Sequence, residues 1–437
     1  MTIVRNPVTF ERKLPTEDAD IAEIVRDILT VQARFAARQK RPLGRGTHTK
    51  GVYVRATFEV FDLGRAIDDP ALAARLGRGL FAEPGVYAAT VRFANAASTF
   101  QADSKPDVRA MSFSVEGPGG TRVDLSMNNA TTFPLNDAHA FAAFMKVSAA
   151  ASAWSKLKAL VGLSFRDLGG FFATAWRGIR QQRGPLKPYQ QTRYWSNVAF
   201  SFGDADAVKY SAIPSHENPG RPIGKGPNVL RDELARHLTE DRQMASFDIG
   251  LQLLDADRMT FKGKTHDPAF WVENASVEWP ESQAPFHVVG RLTLVPNSVM
   301  SDAECQGMYI DVTEHAIPGS RPIGSINRAR WAAEAASRNA RLRGGAGNTV
   351  PVTPPDASVG LIGFVRAARI RIGNITLRTI FRTTLAAIAA LLLAVGALGV
   401  ATMYYTTTDR AMLPREPFDS VVYADQGWGA SLDSEPR

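Results

Sequence analysis

Cysteine is almost absent from this chain of 437 residues, in which Cys305 is the only one. An intramolecular disulfide needs two thiols and a cysteine-rich metal site needs several, so both are excluded. This cysteine usage fits a reducing compartment.

The amino-terminal segment has no long apolar run. Residues 1–20, MTIVRNPVTFERKLPTEDAD, contain no apolar stretch of signal-peptide length, and they become acidic toward residue 20. We therefore expect that no signal peptide exports the main domain.

A concentrated basic element of the kind that binds nucleic acid is also missing from most of the chain. The formal net charge is +8, but the lysines and arginines are mostly spread out, whereas nucleic-acid-binding proteins cluster them on one element. One basic run does occur, at Arg366, Arg369, Arg371, Arg378 and Arg382. Because an uncharged stretch follows that run, we assign it to a membrane surface and predict no nucleic-acid partner.

The overall composition is that of a globular protein, with 45% hydrophobic and 22% charged residues. This balance excludes wholesale disorder. The length exceeds that at which a single core usually stops growing, so one large domain with appendages, or two domains, is expected.

The periodicity of apolar residues changes between helical and strand spacing along the chain. Helical spacing predicts helices over residues 17–40, 137–182 (two helices broken near 162–164) and 325–343. Alternation of apolar and polar residues predicts strands over residues 52–60, 91–93, 111–115, 123–127, 194–202, 247–253 and 288–295. The first four strands have short connections and predict an antiparallel meander. Helices grouped between two sets of strands predict an α+β fold rather than a doubly wound sheet.

The carboxyl-terminal part divides into four segments after a main domain at 1–343. A Gly- and Pro-rich linker is predicted at 344–360, a basic juxtamembrane segment at 361–382, a transmembrane helix at 383–405 and an acidic tail at 406–437. The uncharged 383–405 stretch is long enough for a bilayer of roughly 30 Å. A buried core helix is the alternative reading of this stretch. The arginines before it and the acidic tail after it predict a single-pass anchor with the main domain in the cytoplasm.

Several short motifs, taken together, resemble the haem catalases. RGTHTKG (45–51) resembles the segment that carries the distal histidine, TVRF (90–93) the strand whose arginine pairs with a haem propionate, and DLSMNNATTF (124–133) the distal-asparagine segment. YWSNVAFSFG (194–203) and RPIGSINRAR (321–330) are similar to the short bacterial catalase-related branch, which includes hydroperoxide-converting relatives such as coral allene oxide synthase. The resemblance covers roughly residues 10–343, and Thr47 before the histidine is similar to the synthase.

This resemblance implies a fold, a cofactor and a set of site residues. The fold is an α+β catalase-like antiparallel β-barrel core with surrounding helices, and the cofactor is b-type haem. His48 is then the distal base, Asn128 its distal partner and Arg92 a propionate ligand, while Phe141, at the family's spacing after Asp137, stacks on the porphyrin. The simpler readings are a polar histidine at a strand edge, a polar turn at Asn128 and a core aromatic at Phe141.

One position departs from the family pattern. The family's proximal ligand is a tyrosine four residues after an arginine on the last helix, and here Arg330 is followed at that spacing by Glu334. The resemblance implies that Arg330 is a cofactor-binding residue. Glu334 is either a carboxylate ligand of the iron or a solvated helix residue. A ligand from elsewhere in the chain is the remaining alternative, and Tyr309 lies outside the motif.

Two functions from different classes follow. The first is a membrane-tethered haem-dependent catalase- or peroxidase-like enzyme acting on hydrogen peroxide or an organic (lipid) hydroperoxide. The second is a haem-free or non-catalytic binding or scaffold protein with the same fold, which the missing tyrosine favours. Retention of His48, Asn128 and Arg92 favours the enzyme, because peroxide O–O cleavage needs a base and a hydrogen-bond donor.

Overall fold

The computed structural model describes residues 10–39, 43–97, 101–182, 184–218, 223, 226–305 and 308–344, and three two-residue strands beyond them. The strands are β1 Arg12–Lys13, β2 Gly51–Val60, β3 Gly85–Asn95, β4 Arg109–Glu116, β5 Arg122–Asn128, β6 Tyr194–Trp195, β7 Phe200–Phe202, β8 Asp206–Pro214, β9 Ala245–Leu253, β10 Thr260–Phe261, β11 Lys264–Thr265, β12 Phe286–Val299, β13 Arg371–Ile372, β14 Ile375–Thr376 and β15 Glu416–Pro417. The helices are α1 Glu17–Gln39, α2 Leu63–Ala66, α3 Pro70–Leu76, α4 Ala138–Ala149, α5 Ala153–Val161, α6 Phe165–Gln182, α7 Val229–Ala235, α8 Pro268–Glu273, α9 Asp302–Cys305 and α10 Ser325–Gly344.

Eight antiparallel strands close into a barrel. Their order is β6-β5-β4-β3-β2-β12-β9-β8, and β8 pairs back to β6, while β7 adds to the edge of β8. Closure leaves few unpaired strand edges. The predicted meander is confirmed by the register β2–β3–β4–β5.

The barrel interior is a packed apolar core. Along β2 the inward side chains alternate with outward polar ones, and Val54 and Phe58 are fully buried. Phe58 packs against Phe81 and Phe113 with ring centroids 6.4 and 6.0 Å apart. Each such ring contributes roughly 1.5–3 kcal/mol by leaving water. Polar chemistry is therefore placed on the outer face of the barrel.

One row of polar residues crosses that outer face. The strand register places Tyr53 opposite Arg92, Arg92 opposite Ser112, and Ser112 opposite Ser126. The two serine hydroxyls are 2.9 Å apart. Because side chains opposite one another in a sheet share a face, these four form a continuous polar strip.

Three helices cover one side of the barrel. α1 packs on α4 and α10, and the three share a small core in which Ile24, Ala138 and Ala329 are fully buried. Alanines on α4 and α10 allow the helices to approach closely. This layer brings α10 to the outer polar strip.

The start of α10 is fixed by a buried ionic cluster. Arg328 donates to Glu11 at 2.7 Å, to Glu17 at 3.0 Å and to Glu273 at 3.0 Å. Its side chain is 4% exposed and those of the three glutamates are fully buried. One cation therefore ties α10 to α1, to α8 and to the chain before β1.

The predicted helices at 17–40 and 325–343 are confirmed as α1 and α10, and the other predictions need two corrections. Residues 137–182 form three helices rather than two, because Ala150 is extended and Ser152 starts a new helix with a capping box. The predicted strand at 194–202 is split into β6 and β7, since Asn197 adopts a positive φ of 62°.

The predicted transmembrane helix at 383–405 lies outside the described residues, as do the linker at 344–360 apart from Gly344 and nearly all of the acidic tail. Within the part of the chain that the structure describes, no helix is both long and apolar enough to cross a membrane.

Candidate active site

A cavity lies between the outer polar strip and α10. Its enclosed free volume is about 150 Å³, and the segment 45–48 and residues 309–312 complete its wall. This volume is smaller than the roughly 300–1,000 Å³ that is typical of small-molecule and cofactor sites. Four of the six sequence-predicted site residues line it, namely His48, Arg92, Arg330 and Glu334.

His48 sits on a strained backbone just before β2. Its φ is 55°, in the left-handed region that non-glycine residues seldom adopt. Its amide donates to the carbonyl of Ala96 at 3.3 Å, and its ring Nδ1 is 3.1 Å from the Thr47 hydroxyl. Such a conformation costs of order 1 kcal/mol or more, and strained residues of this kind cluster at functional sites.

The cavity keeps the His48 imidazole neutral. Burial lowers the pKa of His48 to about 3, and the positive charges of Arg92, Arg330 and Arg45 add to the effect. A neutral imidazole has one nitrogen that can accept a proton. His48 therefore faces the cavity as a potential base at neutral pH.

Arg92 is held against β2 with donor capacity to spare. Its Nη2 donates to the His48 carbonyl at 2.5 Å, whereas its buried Nε has no partner among the described residues. A side chain at Gly51 would lie 2.9 Å from Nη2 and 2.5 Å from a backbone oxygen, so only glycine leaves room for this packing. Burial, followed by Arg45, lowers the pKa of Arg92 to about 10.

The cavity wall is rich in positive charge. Arg45, Arg92, Arg330, Arg338 and Arg341 line it with only two acidic residues, Asp311 and Glu334. Within the described chain, Arg45, Arg92 and Arg341 form no salt bridge with a carboxylate; Arg45 donates to the Tyr53 hydroxyl at 2.9 Å and to the Met308 carbonyl at 2.7 Å. Guanidinium groups without carboxylate partners are a binding site for an anion.

The face of α10 toward the cavity carries the remaining charges. Arg330 donates to Glu334 one turn later at 3.1 Å, and Arg338 pairs with Asp311 and with Glu314. Burial raises the pKa of Glu334, and Arg330 opposes that shift. The Glu334 side chain keeps 40% of its surface accessible, and this surface includes the cavity wall. Its carboxylate is thus available to the cavity but engaged by an arginine.

Two tyrosines also line the cavity, and neither is on α10. The ring of Tyr309 lies between Arg338 and Arg122, with the guanidinium carbons 4.7 and 5.0 Å from its centroid. Its hydroxyl donates to Glu314 at 3.1 Å. Burial and Glu314 raise the pKa of Tyr309, which favours the neutral phenol over the phenolate an iron ligand would need.

Asn128 and Phe141 are not among the residues that line the cavity. Asn128 ends β5 two residues beyond Ser126, on the same sheet face, and its Oδ1 accepts from the amide of Ala130 at 3.0 Å. Phe141 lies on α4 and makes an edge-on contact with Phe133 at 6.4 Å.

Sequence reasoning missed several lining residues for which signals existed. Ser112 and Ser126 follow from the strand register, because they stand across from Arg92. Arg338 and Arg341 follow from helical spacing, since they lie four and seven residues after Glu334. Arg45 was part of the motif around His48 and was given no role, and Tyr309 had no sequence signal.

Comparisons with known proteins identify the fold. No protein-family model matches the sequence, and no curated protein matches it. Among solved structures, the chain is similar to a fungal catalase with 17% identity and a TM-score of 0.53, covering 70% of this chain and 60% of that one. Catalase A from Saccharomyces cerevisiae gives 17% identity, a TM-score of 0.52, and coverage of 70% and 62%. A bacterial catalase gives 17% identity, a TM-score of 0.51, and coverage of 78% and 64%.

The eight-stranded antiparallel barrel and these similarities show that the chain has a catalase-like α+β fold. The chain spans about three fifths of the length of the catalases it matches. At 17% identity the likeness defines the fold alone.

Proposed function

We propose that the protein is a membrane-tethered, haem-dependent enzyme that acts on hydrogen peroxide or on an organic, including lipid, hydroperoxide. The observation that carries this proposal is the convergence of a neutral His48 and an arginine-lined wall on one cavity of a catalase-like fold.

The charges of the cavity wall complement the carboxylates of a porphyrin, although the enclosed free volume of about 150 Å³ is smaller than such a ring. Arg45, Arg92 and Arg341 are available to hold the carboxylates, and the free Nε of Arg92 is a donor that lacks an acceptor. On α10, Glu334 is the group offered to the iron, although Arg330 already engages its carboxylate at 3.1 Å. Bound haem would supply the redox chemistry of peroxide cleavage.

The chain itself supplies proton transfer. His48 accepts the proton of the bound peroxide because its ring is neutral, and it returns that proton to the departing oxygen. The serine pair Ser112 and Ser126 lies in the same cavity and offers hydroxyl donors to the oxygen that develops negative charge. Asn128, the distal partner implied by the family resemblance, does not line the cavity, and its Oδ1 accepts from the amide of Ala130.

A haem-free binding protein is the second candidate function. The ion pair of Glu334 with Arg330 and the neutral phenol of Tyr309 favour it, because neither group is poised as an anionic iron ligand. In that case the arginines bind an anionic small molecule directly.

The iron ligand can be tested at Glu334. If this carboxylate binds iron, Glu334→Ala should lower haem occupancy or shift the Soret band of the purified protein, and Glu334→Tyr should give a phenolate-type spectrum. The absorption spectrum of protein from haem-replete cells is the measurement.

Glu314→Ala is the matched control, since Glu314 pairs with Arg338 but does not line the cavity. A wild type that binds haem with a spectrum unchanged in both Glu334 variants would exclude Glu334 as the ligand. A wild type without haem would favour the binding protein.

The tether is proposed to be residues 383–405, with the main domain in the cytoplasm. The support is the uncharged stretch and the five arginines that precede it. Protease added outside intact cells, or outside spheroplasts where an outer membrane exists, should then remove epitopes beyond Thr406 and spare the main domain. Loss of the main domain with retention of the tail would reverse the orientation.

A further inference from the structure

Exposed apolar side chains are concentrated on α5 and α6. Nine large apolar side chains of the described residues are exposed, and five of them are here: Trp154 (62%), Val161 (71%), Phe165 (88%), Trp176 (57%) and Ile179 (45%). These five define the α5–α6 face. Exposed patches of this kind mark interaction sites.

This face is opposite the side of α6 that packs on the protein. Gly170 and Thr174 are buried, and Phe171 stacks on Phe144 of α4 at 5.8 Å. Phe165, Trp176 and Ile179 are spaced by eleven and three residues, which places them together on the other side of the helix. The apolar face is therefore not explained by packing within the described chain.

The surroundings of the face are basic. Residues 151–187 contain seven lysines and arginines and a single acid, Asp167. Asp167 is already engaged by Ser164 at 2.7 Å and by His139 at 3.1 Å. Lys156, Lys158, Arg166 and Arg180 are exposed, whereas Arg177 turns inward to the carbonyl of Pro134 at 2.7 Å.

We propose that the α5–α6 face lies on the surface of an anionic phospholipid bilayer. Aromatic and aliphatic side chains on one side of a helix, flanked by lysine and arginine, are the composition of helices that lie in the membrane interface. The partner should be anionic as well as apolar, because the exposed Lys156, Lys158, Arg166 and Arg180 flank the face and the one acid of the segment, Asp167, is already engaged. The cytoplasmic leaflet supplies such a surface.

The proposal depends on neither haem nor the 383–405 tether. It gives the domain a fixed orientation at the membrane. The reason is that α6 packs on α4, α4 packs on α1, and α1 packs on α10, which carries site residues.

The test uses the full chain, with Cys305→Ser and one new cysteine that carries an environment-sensitive fluorophore. Phe165→Cys reports on the α5–α6 face, and Val86→Cys is the matched control because Val86 is 69% exposed on β3. Vesicles are made of phosphatidylcholine with or without phosphatidylglycerol, each with brominated lipid as a quencher. Flotation separately measures whether the chain stays on the vesicles.

With phosphatidylglycerol present, the label at 165 should shift to the blue and lose about half or more of its emission to the brominated lipid, as an interfacial helix would. The label at 86 should not change. High salt, or reversal of Lys156, Lys158, Arg166 and Arg180 to glutamate, should abolish the quenching at 165.

Equal behaviour of the two labels on vesicles that carry the chain would overturn the proposal and leave the tether intact. Quenching at 165 that does not require phosphatidylglycerol in the vesicles would also overturn it. So would a blue shift that appears without vesicles and grows with protein concentration, since a second copy would then cover the face. If high salt releases the chain from the vesicles, residues 383–405 do not anchor it. Quenching at 165 on such a chain at low salt would still support the proposal.

Discussion

Replacing His48 by alanine should lower peroxide consumption by about 10²-fold or more while leaving haem content almost unchanged, because a general base usually contributes on that scale. His48 faces the cavity as a neutral imidazole, and among the described residues its ring makes one hydrogen-bond contact, to the Thr47 hydroxyl at 3.1 Å. Its removal therefore deletes proton transfer and little packing. The measurement is the rate of peroxide loss per haem, with haem counted from the Soret band.

His48→Asn distinguishes the loss of the base from the effect of a substitution on the backbone conformation at this position. Asparagine tolerates the left-handed conformation that His48 adopts at φ 55°, but its amide cannot take a proton. It should be as inactive as the alanine variant and more stable. His216→Ala, at an exposed turn position, is the control and should keep full activity. Haem-loaded His48 variants that turn over peroxide at the wild-type rate would remove His48 from the mechanism.

The pKa of His48 also sets a pH dependence in the haem-free protein. The folded value of about 3 lies below the ordinary 6.5. Between pH 3 and pH 6.5, His48 is therefore protonated in the unfolded chain and neutral in the folded chain. Stability therefore falls as the pH drops from 6.5 toward 3, and this part of the loss should be absent from His48→Ala.

The helices and strands were predictable from sequence where one face of an element is buried. β2 alternates buried and exposed side chains from Val54 to Val60, and α1 shows helical spacing over 23 residues, so both were predicted within a residue or two. The break at Ala150 was not predictable from periodicity, because the residues around it are small and do not mark one face of a helix. Closure of the barrel through β6 and β8 depends on pairings distant in sequence.

The site was predictable only in its motif residues. His48 and Arg92 occur in short segments with a family resemblance, and the structure brings them to one cavity. Arg45, Arg341 and Tyr309 come from three separate parts of the chain, and only the packing of α10 against the barrel places them together. The low pKa of His48 could not be predicted from the motifs, because it arises from burial and from arginines that only the folded chain brings together.

Replacing Arg328 by methionine should destabilise the protein by roughly 3–5 kcal/mol, the usual cost of removing one partner from a buried ionic cluster. Glu11, Glu17 and Glu273 would remain buried without the cation that all three share. The start of α10 would lose its attachment to α1 and α8, and the site residues Arg330 and Glu334 follow within two turns. Urea unfolding at pH 7, followed by circular dichroism, is the measurement.

Two further variants make this result specific. Arg258→Met removes an exposed arginine that lies 3.9 Å from Asp255, and it should change stability by less than about 1 kcal/mol, as surface pairs do. Arg328→Lys keeps the charge but loses the forked geometry that reaches three carboxylates, so it should fall between methionine and wild type. If Arg328→Met unfolds at the same urea concentration as Arg258→Met, the cluster does not fix α10.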